Sequence, residues 1–438
     1  MHSPLHLPRP AGRPVAGVSR RQAMGLSGLG LGALALSACG GSDGGGEAPS
    51  GESGEDFHFT SFALSEDPPS SWLEETIAGY QEDNSLTITT TTDAYNDALN
   101  QILLRARGGE ISGVVQLNLE WLAPMVATGQ LVDLAEYASD VDYTEAALAT
   151  GQLEDTQYGL PWTTAAIGLI ANSELLEKAG VAETPVTLDE FADALRAVKE
   201  LGGDMVPYAA STEVAQLKDF IFWLETFGAT LMEDGTCTLG DDPSVAAMEW
   251  YKEMYDEGLI AAGTDRNSAR NLFSQGRTAF YDDAPIGASI VVANSPDSEI
   301  RSKMVPTSRP VLAEGDTPRA LAWGNLLVVM DGPGAVSGAE FTQWITSDPE
   351  IALEYFEVTS SPPVTDTGLA DGAIQDDPFL AAFTEKITAT ASTSPLWAYP
   401  EYAQLETELA EAVQKALLGE QTPAEAMAGA GEAINSLL

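Results

Sequence analysis

Side chains that could do chemistry are unevenly supplied in this 438-residue chain: 66 aspartates and glutamates stand beside 20 lysines and arginines, two cysteines and three histidines. His58 is the one histidine beyond residue 38. That argues against a histidine-based triad, a zinc protease site or any centre with several imidazole ligands. From Phe57 onward the chain contains no Gly-x-Ser-x-Gly elbow and no phosphate-cradling Gly-x-x-x-x-Gly-Lys loop. Carboxylate chemistry is left, since paired acids are all that glycoside hydrolysis needs, and Asp282-Asp283 with Glu120 are the residues to consider. Neighbours on a strand point to opposite faces, so Asp282 and Asp283 cannot form a facing pair. Cys237 follows Asp234-Gly235-Thr236, a hairpin-turn sequence with no histidine or cation beside it to activate a thiol, and reads as structural.

Cys39 stands in a different context. Ser19-Arg20-Arg21 precedes an uncharged run from Ala23 to Ala38 that ends Leu36-Ser37-Ala38-Cys39. A basic start, an apolar stretch too short to span a bilayer and a small-residue end form a secretory layout over residues 1–38. Leu-Ser-Ala-Cys resembles the bacterial lipoprotein box, which implies lipidation of Cys39 as the first mature residue, its sulfur alkylated and its amine acylated. Arg20-Arg21 resembles a twin-arginine signal. The expected location is the extracytoplasmic face of the cell membrane. Residues 40–56 mix glycine with like charges and lack aliphatic anchors, so 39–56 reads as a lipidated cysteine on a flexible tether with a reach of about 20–25 Å. No basic residue is lost from the remainder except Arg9, Arg13, Arg20 and Arg21, so the mature chain carries 16 basic against 66 acidic residues, a formal charge of −50. Such a field repels nucleic acid and anionic lipid and favours a neutral or cationic ligand.

The elements that must position any site follow an alternating α/β order from Phe57. Helical stripes run through Leu73, Ile77 and Tyr80 behind Ser70, and through Leu99, Ile102, Leu103 and Ala106 before Gly108-Gly109. Thr187 and Glu190 spell a capping box ahead of Leu188, Phe191, Leu195 and Val198. Leu405, Leu409, Val413 and Leu417 define a late helix, and Thr422, Pro423 and Glu425 open a last one. Expected strands are Leu86 to Thr92, Val114 to Leu117, Ile167 to Ile170, Thr278 to Tyr281 and Leu321 to Met330. About 380 residues are too many for one core and enough for two lobes.

Five segments resemble, in order, those of the extracellular solute-binding proteins of bacterial ABC importers, the family-1, carbohydrate-binding, maltose-binding-protein-like group. Trp121 to Pro124 with Gly129 to Leu134 is similar to its "W, then G-x-L-x-D-L" element. Tyr158-Gly159-Leu160-Pro161-Trp162 with Ile167 to Gly180 resembles its "Y-G-L-P-aromatic, strand, N-x-x-L-x-x-K-A-G" crossover. Pro185 with Thr187 to Phe191, Phe273 to Pro285, and Phe341 to Val364 resemble its remaining motifs. Leu188 replaces the usual aromatic after the capping threonine, Ile111-Ser112-Gly113 stands where "P-D-V" is common, and Ile286 takes a position that often holds a tryptophan beside the ligand.

The resemblance implies an α/β, two-lobe periplasmic-binding-protein-like fold of type II, with an interlobe ligand cleft and hinge crossovers. Lobe 1 would hold 57–163 and 306–360, and lobe 2 would hold 164–305 and 361–438. It also implies a monomer without enzymatic activity or cofactor, a carbohydrate ligand, and ABC permease subunits as partners. A sugar presents an apolar C–H face to aromatic rings and a belt of hydroxyls to carboxylates and amides. Ligands of open α/β sheets gather at strand ends. The expected binding residues are therefore Trp162, Trp397, Trp121 and Trp323 as platforms, with Asn118, Glu120, Asp283, Thr163, Asp67 and Gln216 as polar partners. Trp72, Trp223, Trp250 and Trp344 sit in helical patterns and read as core. The alternatives are a cationic or zwitterionic metabolite in the same fold, and a secreted glycosidase.

Overall fold

The computed structural model describes residues 46–261 and 263–438, with side chains left out at 215, 216 and 218. The expected export segment, Cys39 and the Gln216 side chain therefore lie outside the described residues. Among the described residues no helix is long and apolar enough to cross a membrane.

Eight strands carry the architecture: β1 (Phe57–Thr60), β2 (Ile88–Thr91), β3 (Gly113–Asn118), β4 (Gly159–Asn172), β5 (Val206–Ala209), β6 (Thr278–Asp283), β7 (Met304–Thr307) and β8 (Ala320–Met330). They hydrogen-bond in the order β2-β1-β3-β8-β4-β6-β5, with β7 also on β4 and the short Ala391–Ser392 strand on β8. β1 is parallel to β2 and β3, whereas β8 runs antiparallel to both β3 and β4. In β3 every residue is buried, as expected of a strand covered by helices on both faces.

β4 joins the lobes. Its 14 residues extend about 45 Å, long enough to serve two sheets. Gly159 to Ile167 pair with β8, and Gly168 to Ala171 pair with β6. The passage between lobes thus falls at Ile167/Gly168, beyond the expected 163/164. Pro306 and Thr307 still pair with Ile170 and Leu169, so the chain leaves the second lobe after Thr307. Val364 packs in the first-lobe core and Thr365 bridges to Tyr143, which carries that lobe past residue 361.

Each sheet region is covered on two sides. In the first lobe, α1 (Pro69–Asn84) and the helix Ala335–Ser347 bury Leu73, Ile77, Tyr80 and Phe341 against Phe57 and Phe59. On the other side, α2 (Tyr95–Gly108) packs Ile102 and Ala106 against Val115, Leu117 and Val328. Pro69 occupies the first position of α1 with no side-chain cap, so Ser70 is inside the helix and not its cap. In the second lobe α3 (Leu188–Lys199) starts with the capping box of Thr187 and Glu190 and buries Phe191 and Leu195 beside Tyr208 and Phe280. α4 (Arg266–Ser274), α5 (Ile286–Asn294) and α6 (Pro349–Thr359) flank the interlobe region, and α7 (Tyr402–Leu417) with α8 (Pro423–Leu437) completes the second-lobe core through Leu405, Leu409 and Val413.

Asp234 (φ 48°) and Gly235 (φ 75°) make the two-residue turn of a hairpin, and Cys237 is buried on its second strand with Asn435 bonded to its backbone N–H and carbonyl. Of the helical tryptophans, Trp223 is fully buried, while Trp72, Trp250 and Trp344 are half-buried against the cores.

Candidate functional site

A cavity of about 300 Å³ opens between the lobes at the strand ends. From the first lobe, the end of β3 contributes Gln116, Asn118 and Glu120, the turn after β1 contributes Phe62 and Glu66, and α2 contributes Tyr95. From the second, the end of β6 contributes Asp283, α4 contributes Arg266 and Arg270, and α5 contributes Ile286 and Ile290. β8 adds Leu321, Trp323 and Asn325, and Tyr355 of α6 and Trp397 close the wall.

A chain of buried polar groups runs along one side. Asn325 Nδ2 donates to Asn118 Oδ1 at 2.8 Å, and Asn118 Nδ2 donates to Tyr95 Oη at 2.5 Å and to Glu120 Oε1 at 3.2 Å. The Asn325 backbone N–H donates to Thr163 Oγ1 at 3.1 Å. Each member is thereby held in one rotamer at little desolvation cost, and the remaining lone pairs and protons define where hydroxyl groups of a guest can bond. Gln116 is fixed likewise, its Oε1 accepting from Ser61 Oγ at 2.5 Å and from the Ala63 N–H at 3.2 Å.

The opposite wall is ionic. Arg270 grips Asp283 with two bonds, Nε to Oδ2 at 2.7 Å and Nη2 to Oδ1 at 2.9 Å. A Cβ at Gly287 would lie 1.9 Å from Asp283 Oδ2, so glycine is what lets α5 begin beside this carboxylate. Arg266 pairs with Asp219 and donates to the Asp282 carbonyl at 2.6 Å. Asp282 points away from the cavity into a buried cluster with Tyr208 and Arg309. The two aspartates do face opposite ways, as strand alternation requires.

Asn118, Glu120, Asp283, Trp323 and Trp397 line this cavity. Trp162 does not. It is the extra residue of a β-bulge, because Asn325 pairs with Thr163 while Leu326 pairs with Pro161, and its ring turns into the first-lobe core to stack on Tyr355 at 4.8 Å. Trp121 is also buried behind the wall, edge-on to Phe62 at 5.5 Å and tilted on Tyr95 at 5.8 Å, so it buttresses two rings that do face the cavity. Thr163 is fully buried and reaches the site only through Asn325. Asp67 is exposed and accepts a bond from Ser70, whereas its neighbour Glu66 faces the cavity. Sequence reasoning passed over Asn325, two residues beyond Trp323 on the same strand face, and Arg266 and Arg270, one helical turn apart. Tyr355 has no local signal at all.

Two α/β lobes that share a long strand and enclose an aromatic and polar cavity define a two-lobed binding protein. The chain belongs to the family of bacterial extracellular solute-binding proteins, which it matches over residues 75–382. It is similar to a putative binding protein of Brucella abortus, 25% identical over 254 residues that cover 56% of this chain and 61% of that protein. It is also similar to the maltotriose-binding protein of Pyrococcus abyssi, 21% identical over 277 residues covering 61% and 58% of the two chains. The chain thus spans about three-fifths of the length of these curated relatives. Among solved structures, the GacH receptor of Streptomyces glaucescens superimposes with a TM-score of 0.79 at 20% identity, covering 88% of this chain and 98% of that one. Maltose-bound T. maritima MalE3 gives 0.77 at 17%, covering 88% and 100%. Both likenesses speak to the fold.

Proposed function

We propose that this chain is the substrate-binding protein of an ABC importer, that it captures a carbohydrate of one to a few sugar units by closing its lobes, and that it hands the guest to the permease without altering it. The observation that carries this reading is the composition of the interlobe wall. Trp323 and Trp397 offer partly exposed rings, and Asn118, Asn325 and Glu120 offer a preset row of donors and acceptors. Because both lobes contribute, a guest touching both favours the closed state. Sugar-named relatives such as the Pyrococcus maltotriose-binding protein support the same class of ligand.

Titration calorimetry of the full-length protein against mono-, di- and trisaccharides tests it, with amino acids as the contrasting set. At least one sugar class is expected to bind, and Trp323→Ala is expected to weaken that binding about 10- to 100-fold, the effect of removing one stacked ring face worth about 1.5–3 kcal/mol. Binding confined to amino acids would sink the carbohydrate assignment.

We further infer anchoring through Cys39 on the extracytoplasmic face of the membrane. Cys39→Ser is expected to move the protein from the membrane fraction to the soluble fraction and to abolish acyl mass on the N-terminal peptide. An unchanged distribution with no acyl group in the wild type overturns the anchor.

A further inference from the structure

The interlobe cavity has an excess of acid. Three carboxylates line it, Glu66, Glu120 and Asp283, against two guanidinium groups, Arg266 and Arg270. Asp219, which pairs with Arg266 just behind the wall, adds a further negative charge. Both arginines are already engaged, Arg270 by the two-point grip on Asp283 and Arg266 by Asp219 and the Asp282 carbonyl.

Glu66 is left in a different position from the other acids. It is half-buried, and among the described residues none donates a hydrogen bond to its carboxylate. The charged or titratable groups that act on it are Arg270 of α4, Asp283 of β6 and the Tyr355 phenol of α6, and the first two act in opposite directions. Burial raises the Glu66 pKa, with Arg270 opposing and Asp283 adding to the rise. A carboxylate partly withdrawn from water and without a protein donor is held at a cost, and a guest that brings a donor with positive charge lowers that cost. Phosphate, sulfate or carboxylate guests are repelled by the same surroundings. The partly exposed rings of Trp323 and Trp397 in the same wall attract a cation.

We propose that the guest is an amino sugar whose protonated amine seats on the Glu66 carboxylate. The proposal rests on the carbohydrate reading above and narrows it. Glu66 belongs to the first lobe, while Arg270 and Asp283 belong to the second, so seating the amine draws on both walls and ties charge recognition to closure.

Protons compete with the amine for this carboxylate. Affinity therefore falls as the pH drops through the Glu66 pKa, by at most about tenfold per pH unit for a single group. Without a guest the sign is reversed for stability: a folded-state pKa above the unfolded value means that stability is lost as pH rises through that range.

Calorimetry on the full-length protein with glucosamine and its β-1,4 dimer, against glucose, cellobiose and N-acetylglucosamine, decides the matter. The aminated sugars are expected to bind at least tenfold tighter than both neutral sets, and the preference is expected to shrink on acidification. Glu66→Gln, checked for unchanged melting, is expected to level the two affinities. Equal binding of aminated and neutral sugars by the wild type, or a preference retained in Glu66→Gln, overturns the amine assignment and leaves the carbohydrate reading in place. Binding of putrescine or choline with no response to any sugar does the reverse, keeping the cation site and removing the sugar. The wild-type comparison and its pH dependence stand even if the variant folds poorly.

Discussion

Arg309→Ala is expected to lower the stability of the second lobe by about 3–5 kcal/mol, read as a shift of the urea unfolding midpoint. Arg309 is 3% exposed and follows β7 on the segment that leads out of the second lobe. Its guanidinium pairs with Asp282, lies 4.2 Å from the Phe222 ring centroid and 4.7 Å from that of Trp223, and donates from Nε to the Arg319 carbonyl at 3.3 Å. Removing it leaves the Asp282 carboxylate, 5% exposed, with the Tyr208 hydroxyl as its side-chain hydrogen-bond partner among the described residues. The loss comes from that stranded charge more than from the pair itself. The double variant Arg309→Met with Asp282→Asn should therefore recover a large part of it, because the buried charge is gone and the methionine still fills the slot between the rings. If the single and double variants are equally unstable, the stranded Asp282 charge is not the source of the loss. Arg309→Lys is expected to behave like the alanine variant more than like the wild type, since an ammonium cannot stack between two rings while reaching the carboxylate and the carbonyl together.

The second large effect is expected at Gly324, the residue between Trp323 and Asn325. A Cβ there would lie 2.2 Å from the Thr163 carbonyl oxygen on the paired strand β4. The obstacle is backbone, which cannot swing aside as a side chain can, and the strands are locked on both sides by further pairs. Gly324→Ala is expected to cost about 3 kcal/mol, the upper range for overpacking. It should also weaken ligand binding at least tenfold, because parting β8 from β4 moves Trp323 and breaks the Asn325 link to Thr163. A variant with full stability and full affinity would show that the strands separate freely here, and would remove the argument for a rigid cavity floor.

Much of the scaffold could be read from residue order because its strands are continuous apolar runs bounded by turn residues. Val114 to Leu117 lies inside Gly113–Asn118, Thr278 to Tyr281 inside Thr278–Asp283, and Leu321 to Met330 inside Ala320–Met330. Ile167 to Ile170 is only the later part of a far longer strand, Gly159–Asn172. Pro161 lies within it, where the bulge beside the proline accommodates the missing N–H and the strand continues. Leu86 to Thr92 shortens to Ile88–Thr91 for the ordinary reason that strand ends fray into loops.

The cavity divided along the same line. Asn118, Glu120, Asp283 and Trp323 were placed by strand ends, where open sheets leave room for a guest, and all four line it. Trp162 and Trp121 stand at equally promising positions, but a one-residue bulge and a short 3₁₀ turn rotate them out of the wall. Glu66 and Asp67 differ by one position and by opposite surroundings. Arg266, Arg270 and Tyr355 come from helices whose own sequences say nothing of a cavity. Their side chains arrive by tertiary placement.

The long shared strand and the late helices bear on how the molecule is made. The first lobe needs β8 at its centre, and the second needs α7 and α8, whose Leu405, Leu409 and Val413 pack against Phe191 and Tyr208 laid down some two hundred residues earlier. Until α7 and α8 have been made, the second half lacks part of its hydrophobic interior. Folding of the second half then waits for those helices, and that half stays open to chaperones longer than the first.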